Sequence, residues 1–326
     1  MFTHRRRNAL AALAGLSLAT FARADSAPYP AKPVRIIAPF TAGGGTDVLA
    51  RLVAQTLSQV MNQSFVVENR VGATGSIGAE FVARSAPDGY TLLLGSNAPN
   101  ALNGLLNPNL SYDPSKDFAP VIQIALVPNV LLVAPSVQAG DVRALIELAK
   151  RQPGKMTFGS AGIGSPAHLA GELFRSMAGI DIVHVPYKGG AAVLTDLYGG
   201  RVDMLFADQL TAVPQVKGGR LRAFAVTTAT RSNTLPDIPT MAEAALPGFD
   251  TGLWYGLFAP RSTPASIVGK LNQQLATELA KPQLKAQIAQ QGGDVATGSP
   301  EELQALVAAE IRKWGALIKE RGIRVE

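Results

Sequence analysis

Residues 34 to 47 read VRIIAPFTAGGGTD. The β-branched, apolar run from Val34 to Pro39 predicts a buried strand, and the glycines at 43 to 45 predict a turn. The amphipathic pattern of residues 46 to 60 then predicts a helix. Strand, glycine turn and helix together make a βα unit, which is the building block of a parallel sheet.

The same alternation of strand and helix recurs along the rest of the chain. Further strands are predicted at residues 65–68, 91–95, 156–160, 182–185, 202–207 and 221–227. Helices are predicted at residues 75–86, 142–151, 165–178, 190–198, 264–280 and 300–321. Because strands that alternate with helices pair in parallel, the pattern indicates an α/β protein with mainly parallel sheets flanked by helices.

The length of the chain favours two lobes. About 300 residues remain after the leader described below, more than a single core usually encloses. The strand-rich stretches 118–134 and 252–259 lie between two sets of βα units, so we expect them to be two crossover strands. The predicted division is a discontinuous lobe 1, residues 25–124 and 250–326, and a lobe 2 of residues 125–249.

The first 24 residues have the features of a signal peptide. Arginines at positions 5 to 7 precede an apolar run from Ala9 to Phe21, and Ala22-Arg23-Ala24 forms a cleavage site. An uncleaved anchor is the alternative, but the run is shorter than the roughly 20 residues that span a bilayer. We therefore expect an exported, periplasmic protein that is cleaved near Ala24, by either the Sec or the twin-arginine route.

The composition excludes several kinds of site. The net charge of +6 falls to +2 once the four arginines of the leader are removed. The basic residues are scattered, with no cluster of basic and aromatic side chains, so nucleic acid is not expected as a ligand. The chain has no cysteine, and beyond the leader its only histidines are His168 and His184. These counts exclude cysteine chemistry and argue against a zinc site, and we expect neither a metal nor a cofactor.

The loop after the first strand is the first candidate binding site, because ligands of open parallel sheets bind beyond the carboxyl ends of the strands. This position is occupied by Phe40, Thr41, Ala42, Gly43 and Gly44. Glycines let backbone N–H groups turn toward a ligand, and Thr46 or Asp47 can cap the helix that follows. Free N–H groups at a helix N-terminus favour an anion such as a carboxylate. The alternative is that the glycines only form a tight turn.

A similar loop follows a strand in the predicted lobe 2. Its candidate residues are Ser160, Ala161, Gly162 and Ser165, with Ser165 as the N-cap of a helix and Pro166 at its first position. Two anion-binding loops, one in each lobe, can face each other across a cleft. A ligand held by both would favour the closed state, because it makes its full set of contacts only there.

Four further side chains are candidates for lining the cleft. Asn97 and Asp208 each follow a predicted strand, and Asp208 could accept hydrogen bonds from an ammonium, amide or hydroxyl group. His168 lies in the first turn after Pro166, and Tyr187 follows the strand at 182–185. The alternatives are structural: Asp208 caps a loop, and His168 packs within its lobe.

Several short motifs are informative because of the order in which they occur along the chain. They are Tyr29-Pro30-Ala31-Lys32-Pro33, Pro39-Phe40 through Gly45-Thr46-Asp47, Val67-Glu68-Asn69-Arg70, Ala86-Pro87-Asp88-Gly89-Tyr90-Thr91-Leu92, Gly159-Ser160-Ala161-Gly162, His184-Val185-Pro186-Tyr187-Lys188-Gly189 and Leu235-Pro236-Asp237-Ile238-Pro239-Thr240. In this order the chain resembles the tripartite tricarboxylate transporter receptor family, also called the Bug or TctC-like solute-binding proteins.

The resemblance implies a two-lobed periplasmic-binding-protein fold, also called a Venus flytrap. It implies a receptor that gathers di- and tricarboxylates, acidic amino acids or aromatic acids, and that works with integral-membrane permease subunits of a tripartite transporter. It also implies that residues 41–44 and 160–162, with Ser165, hold a ligand carboxylate largely through backbone groups and ordered water. The Thr41-Ala42 pair departs from the proline-rich turn usual in that family, so the pocket rim is expected to differ.

Three rival functions remain. Residues 72–78, Gly-Ala-Thr-Gly-Ser-Ile-Gly, are similar to the glycine-rich turn of a nicotinamide-dependent reductase, but Asn69 and Arg70 separate them from the preceding strand. A Ser165, His168 and Asp208 hydrolase would lack the Gly-x-Ser-x-Gly elbow. A receptor for a membrane sensor would have the same binding lobes as a transport receptor. We expect a monomeric binding protein, not an enzyme.

Overall fold

Within residues 29–187 and 190–323, which the computed structural model describes, the chain forms ten strands and eleven α-helices. The predicted leader, residues 1–24, and Lys188 lie outside these ranges. The strands are β1 (Val34–Ala38), β2 (Phe65–Asn69), β3 (Thr91–Ser96), β4 (Phe118–Val133), β5 (Thr157–Ser160), β6 (Val183–Pro186), β7 (Met204–Asp208), β8 (Arg222–Val226), β9 (Gly252–Pro260) and β10 (Asp294–Val295). The helices are α1 (Gly45–Met61), α2 (Ser76–Ala83), α3 (Asn103–Leu106), α4 (Val142–Arg151), α5 (Pro166–Ala178), α6 (Gly190–Tyr198), α7 (Gln209–Lys217), α8 (Met241–Ala244), α9 (Ala265–Leu279), α10 (Pro282–Gln290) and α11 (Pro300–Arg321).

The strands form one curled, mixed sheet flanked by helices. Their order is β2-β1-β3-β9-β4-β7-β5-β6, and β8 and β10 also pair with β4. Strand β1 pairs in parallel with β2 and β3, and β5 pairs in parallel with β6 and β7. Between these two parallel groups, β9 and β4 run antiparallel to their neighbours. The predicted α/β class and the two parallel groups are confirmed.

Strand β4 connects the two parallel groups. Its first part, Phe118–Pro128, pairs with β9, and its second part, Asn129–Val133, pairs with β7. Pro128 lies where the strand passes from one group to the other, and proline suits such a break because it has no N–H to donate to a ladder. The predicted crossover stretch 118–134 is therefore β4. The second predicted crossover, 252–259, is β9, which runs beside β4 on the side of β3.

Helix α1 shows how the sequence places the first loop. Leu49, Val53 and Leu57 recur at intervals of four residues, and all three are buried in a cluster that includes Ile36 of β1. Burial of side chains of this size contributes roughly 1.5–3 kcal/mol each. Because this stripe fixes α1 against the sheet, the start of the helix at Gly45 stays at the carboxyl edge of β1.

The C-terminal helix α11 packs on both halves of the molecule. Leu303 and Val307, near its start, are buried in a cluster with Phe258 of β9. Trp314 and Leu317, near its end, are buried in the cluster that contains Phe158 and most other core residues of the predicted lobe 2. The predicted lobe boundaries remain a prediction, and α11 packs on core residues from both sides of them.

Two elements that sequence patterns did not reveal flank the site described below. A π-helical turn, Ala98–Leu102, continues directly into α3, and Pro99 within it hid the helical pattern. Helix α7 contains Pro214, which argues against a helix in a sequence reading. Over the described part of the chain, no helix has both the length and the apolar character that crossing a bilayer requires.

The packing of α11 yields a stability test. Replacing Trp314 with Ala should lower the free energy of unfolding by about 3–5 kcal/mol, because a nearly fully buried ring is removed from the core. Lys319→Ala, at an exposed position of the same helix, should change it by less than about 0.5 kcal/mol. Urea unfolding followed by circular dichroism measures both. Equal stability of the two variants would contradict the packing of α11 on the second half.

Candidate functional site

A cavity of about 870 Å³ lies between the two loops that the sequence singled out. Phe40, Gly44 and Gly45 line it from the first loop and the start of α1. The second loop, residues 161–165 between β5 and α5, lines it through Ile163, Gly164 and Ser165. The remaining lining residues come from α1, α5, β9, the end of β3 and the turns around α2 and α3: Thr46, Ala73, Thr74, Ser76, Ser96, Asn97, Ala98, Leu102, Asn103, Leu106, Asn107, Pro108, Asn109, Pro166, Leu253 and Tyr255.

A buried carboxylate shapes the first loop. Asp47 Oδ2 accepts hydrogen bonds from the backbone N of Gly43 at 2.9 Å and from Arg51 Nε at 2.9 Å, and Asp47 Oδ1 accepts one from Asn69 Nδ2 at 2.9 Å. The Arg51 hydrogen bond, helped by those from Gly43 and Asn69, lowers the pKa of Asp47 to about 2 against the effect of burial. The carboxylate is therefore ionised at neutral pH and holds the loop from behind.

This arrangement corrects two predictions about the first loop: that Asp47 caps α1, and that the N–H groups of Gly43 and Gly44 are free for a ligand. Asp47 does not cap α1 in the expected way, since the N-cap is Gly44, which has no side chain to do so. The N–H of Gly43 is bonded to Asp47, and that of Gly44 to Thr41 O at 3.3 Å. The donors without an intrahelical acceptor are therefore those of the first turn of α1, at Gly45, Thr46 and Asp47. Thr41, Ala42 and Gly43 are exposed, and their role in binding stays a prediction.

Tyr255 of β9 is a neighbour of the first loop that the sequence did not identify. Its hydroxyl lies so close to Gly45 that a Cβ on that glycine would stand 3.2 Å from it. Burial raises the pKa of the Tyr255 hydroxyl to about 12, against a hydrogen bond with the Thr46 side chain. The hydroxyl is therefore protonated at the start of α1 and can donate there.

The second loop has the predicted helix start. Ser165 Oγ accepts a hydrogen bond from the N–H of His168 at 3.3 Å, and Pro166 is the first residue of α5. Gly162 has φ = 126° and Gly164 has φ = 77°, values that favour glycine and that set the course of the loop. The N-cap assignment of Ser165 is confirmed, and Ser165 itself lines the cavity.

Two histidines support the second loop from behind. The rings of His168 and His184 stack with centroids 4.0 Å apart, and His184 also stacks on Phe158 at 4.9 Å. His168 Nδ1 accepts a hydrogen bond from the N–H of Gly164 at 3.0 Å, and His184 Nε2 lies 2.6 Å from Ser160 Oγ. Burial lowers the pKa of both imidazoles to about 4, and the neighbouring His184 adds to the effect at His168. Both rings are neutral at pH 7 and fix the loop.

Several residues that were predicted to contact the ligand form hydrogen bonds within the protein. Ser160 is fully buried, with its hydroxyl on His184 and on the backbone of Gly162. Tyr187 donates its hydroxyl proton to Asp196 Oδ2 at 2.7 Å. Neither these side chains nor Ala161, Gly162 and His168 lie among the described lining residues of the cavity. Their part in ligand binding stays a prediction, and their evident contribution is the shape of the loop.

Asn97 lines the cavity, but its side-chain amide is hydrogen-bonded to other residues of the protein. Its Nδ2 donates to Gly252 O at 3.1 Å and to Glu310 Oε2 at 2.9 Å, and its Oδ1 accepts from the N–H of Trp254 at 2.8 Å. These bonds connect the end of β3 to β9 and α11. Asn97 therefore fixes the wall of the cavity where three elements meet.

Asp208 lies in a smaller side chamber. Its carboxylate accepts hydrogen bonds from the N–H and the hydroxyl of Thr211, both at 2.8 Å, and so caps α7. The chamber has a volume of about 180 Å³ and shares Gly45, Leu253 and Tyr255 with the main cavity. The predicted capping role of Asp208 is thus present, and a direct role in ligand binding stays a prediction.

The glycine-rich stretch 72–78 forms a strained turn in the cavity wall. Residues 72 to 75 all have positive φ: 130° at Gly72, 46° at Ala73, 52° at Thr74 and 87° at Gly75. Such angles are costly at Ala73 and Thr74 and persist only where neighbouring groups enforce them. Asn103 does so, because its Nδ2 donates to Thr74 O at 3.0 Å and to Ser76 Oγ at 2.8 Å. The stretch lacks a strand leading directly into it, as β2 ends at Asn69.

Three helices begin at the cavity. Gly45, Ser76 and Pro166 are the first residues of α1, α2 and α5, and each lines it. The helix dipoles make such ends electropositive, and the unpaired N–H groups in the first turn of α1 add to the effect. At the other two starts, the Ser76 N–H bonds to Ala73 O and Pro166 has no N–H. Among the described residues, no group of histidine, aspartate and glutamate side chains could hold a metal ion. The site thus has a positive potential that backbone groups supply, which suits an anion.

Comparisons with known proteins agree with this geometry. A family model described as tripartite tricarboxylate transporter family receptor matches residues 49–323. The protein BugT of Bordetella pertussis is 36% identical over 321 residues, which cover 97% of this chain and 98% of BugT. These matches run through the described fold from α1 to the end of α11.

Two solved structures show the same architecture. Rpa4515 of R. palustris, solved with adipate, has a TM-score of 0.75 and 42% identity, and the match covers 91% of this chain and 99% of that one. MatC (Rpa3494) from Rhodopseudomonas palustris, solved with bound malate, has a TM-score of 0.70 and 33% identity, covering 89% and 100%. The predicted two-lobed periplasmic-binding-protein fold is confirmed.

The buried histidine pair makes stability depend on pH. Because the folded-state pKa values of about 4 lie below the ordinary 6.5, the unfolded chain binds more protons between these values. The contribution of this pair to the free energy of unfolding should therefore be constant well above the ordinary pKa of 6.5. It should fall as the pH drops toward 4, by at most about 1.4 kcal/mol per pH unit for each histidine.

Replacing His168 with Asn removes one titrating group and keeps an acceptor for the Gly164 N–H. Urea unfolding of His168→Asn between pH 4 and 7 should show a shallower loss of stability than the unaltered protein. Parallel slopes for the two proteins would contradict the assignment of the pH dependence to this pair.

Proposed function

Because the chain belongs to the tripartite tricarboxylate transporter receptor family, we propose that it captures a small carboxylate in the periplasm and delivers it to the membrane subunits of a tripartite transporter. The family consists of solute-binding proteins and not of enzymes, in agreement with the absence of catalysis expected from the sequence. The predicted leader provides the route of export. The predicted permease partner completes the transport function.

One observation carries the proposal: the two strand-to-helix loops and the turn before α2 border one cavity. Their contribution to it is the N–H groups in the first turn of α1, the positive ends of the α2 and α5 dipoles, and neutral hydroxyl and amide side chains. A carboxylate accepts hydrogen bonds only, so donors that converge from two sides match its chemistry. Adipate and malate, the ligands in Rpa4515 and MatC, are dicarboxylates and support this class of ligand.

The connections between the halves suit a clamp that closes on its ligand. Thr227 links the point where β4 changes partners to the point where β9 begins: its N–H donates to Asn129 O at 2.9 Å and its Oγ1 donates to Thr251 O at 2.7 Å. The Thr251 N–H donates back to Thr227 O at 2.9 Å. These buried bonds define a short hinge on which the halves can turn, and contacts with a ligand made from both sides would favour the closed state.

The proposal predicts that binding stabilises the protein without chemical change of the ligand. In a thermal-shift panel, dicarboxylates such as adipate and malate should raise the melting temperature as their concentration increases, and neutral sugars should not. Chromatography of the incubated acids should recover them unaltered. Absence of any shift across the carboxylates, or appearance of a product, would refute the proposed function.

The substitution Gly44→Ala, which adds one methyl group, tests the position of the binding site. Gly44 has φ = −77°, and a Cβ there would lie 3.4 Å from Thr41 O, so Gly44→Ala should fold normally while placing a methyl group at the cavity. Its affinity for the best acid of the panel should fall about tenfold or more in titration calorimetry. Gly269→Ala, at an exposed position of α9 with open space around it, is the matched control and should bind as the unaltered protein does. Equal affinity of all three proteins would place the site elsewhere.

A further inference from the structure

A second large depression lies on the outer surface of the first half. It is a groove of about 910 Å³, bordered by α2 and by the starts of β1 and β3. Helix α2 contributes Ile77, Phe81 and Arg84 to it, and the segment before β1 contributes Lys32. The groove and the ligand cavity share no described lining residue, so the groove is a separate feature of the surface.

The sheet face beside α2 is uncovered at this place. Strand β2 ends the strand order, and its Val66 is the register partner of Arg35 in β1. Both residues are exposed, and Arg35 lines the groove. Ile77, which also lines the groove, and Val71, next to Arg70, are exposed as well. Large apolar side chains exposed around a concave surface are typical of an interaction site.

Basic side chains outnumber acidic ones along the groove. Among its described lining residues, the basic ones are Lys32, Arg35, Arg70 and Arg84, and the acidic ones are Glu80 and Asp88. Glu68 of β2 adds a third carboxylate close to Arg35 and Arg70. Four cations against three carboxylates leave an excess of positive charge, which complements an acidic partner.

The carboxylates occupy only part of the donor capacity of these cations. Glu68 lies 2.7 Å from Arg70 but 3.7 Å from Arg35, and Lys32 Nζ lies 3.7 Å from Asp88. The side chains of Lys32 and Arg84 are 63% and 66% exposed. Because a guanidinium has five N–H donors and can hold a carboxylate through two of them, the groove can accept further carboxylates.

Aromatic rings hold the cations in place. The guanidinium carbons of Arg70 and Arg35 lie 3.6 and 5.4 Å from the centroid of Phe81, and Lys32 Nζ lies 4.3 Å from that of Tyr90. A guanidinium that lies over a ring still presents its N–H edge to a partner. Since these side chains are already positioned, binding a partner costs less side-chain entropy.

Helix α2 borders both the groove and the ligand cavity. Ser76, its first residue, lines the cavity, and the next residue, Ile77, lines the groove. A partner in the groove would therefore contact a helix that begins at the ligand site. This position suits a partner that receives the ligand.

Resting on the transport function proposed above, we propose that this groove is the docking surface for an acidic, partly apolar segment that a membrane subunit of the transporter exposes to the periplasm. Carboxylates of the segment pair with Lys32, Arg35 and Arg84, and its apolar side chains cover Ile77 and Val66. The surface of an anionic membrane fits less well, because Glu80 and Asp88 among the cations would face its headgroups.

Two exposed charges in the groove can be removed without disturbing the core. Lys32→Gln/Arg84→Gln removes them, and Lys217→Gln/Arg220→Gln removes a lysine and an arginine from exposed positions at the end of α7 as the matched control. The probe is a fluorescently labelled peptide of alternating glutamate and leucine, with its binding measured by fluorescence anisotropy. The groove variant should bind it about fivefold or more weakly than the control variant, which should bind as the unaltered protein does.

The same measurement distinguishes a peptide from a lipid surface. A peptide with lysine in place of glutamate should not bind, and vesicles of phosphatidylglycerol should not displace the acidic peptide. Equal affinity of the two variants for the acidic peptide, or its displacement by the vesicles, would overturn the proposed docking surface.

Transport by cells tests the identity of the partner. In cells whose own copy of this chain is replaced by each variant, uptake of the radiolabelled acid that binds best should be about fivefold or more slower with the groove variant than with the control. Titration calorimetry should give both variants the acid affinity of the unaltered protein. Equal uptake with the two variants would overturn the docking surface and leave the proposed function intact. If the unaltered protein binds no carboxylate or supports no uptake, the proposed function itself fails.

Discussion

Strand β4 imposes the constraint on which the rest of the structure depends. Its 16 residues pair with β9 and β10 along the first part and with β7 and β8 along the second, so a single extended segment is the centre of both halves. From Val127 to Val133 the side chains are buried, which fits a strand covered on both faces. The position of one parallel group relative to the other, and hence the cavity between their carboxyl edges, follows from this strand and from the hinge bonds of Thr227.

The loops at those edges are held in place by side-chain hydrogen bonds from the surrounding fold. Asp47 fixes the first loop through the Gly43 N–H, the histidine pair fixes the second through the Gly164 N–H, and Asn103 fixes the turn at 72–75. Recognition through backbone N–H groups requires such support, because a backbone donor is directed only by the conformation of its loop. Asp47 and the histidine pair provide this support from behind the cavity surface, and Asn103 provides it from within the wall.

The sequence predicted those parts of the molecule that local patterns encode. The strands β1 and β5, the helices α1 and α5, and the Ser165–Pro166 helix start lie within a residue or two of their predicted positions. The parts that it missed depend on contacts between distant segments. Tyr255 reaches Gly45 from 210 positions along the chain, and no local pattern marks that approach.

The roles of polar residues at the sheet edges also depend on their tertiary partners. Asp47 has the position of a capping residue, but the turn of Gly43 presents an N–H to it, and Arg51 one helical turn away draws the carboxylate outward. Asn97 follows a strand as a ligand-binding residue would, yet it bonds to Gly252, Glu310 and Trp254. A polar residue at the edge of a sheet can serve either the ligand or the wall, and only the tertiary partners decide between the two.

The use of charge around the cavity follows one physical rule. A charged side chain in the wall would need a partner of opposite charge when the cavity is empty, and it would lose its hydration when the cavity is filled. It would therefore raise the free energy of either the empty or the bound state. Asp47 and Glu310 avoid this conflict because their partners are permanent parts of the fold. Helix starts carry a partial positive charge that is fixed by the backbone and that needs no counter-ion in the empty state. A cavity built in this way attracts an anion through its shape and dipoles, and the charged residues near it act by holding that shape.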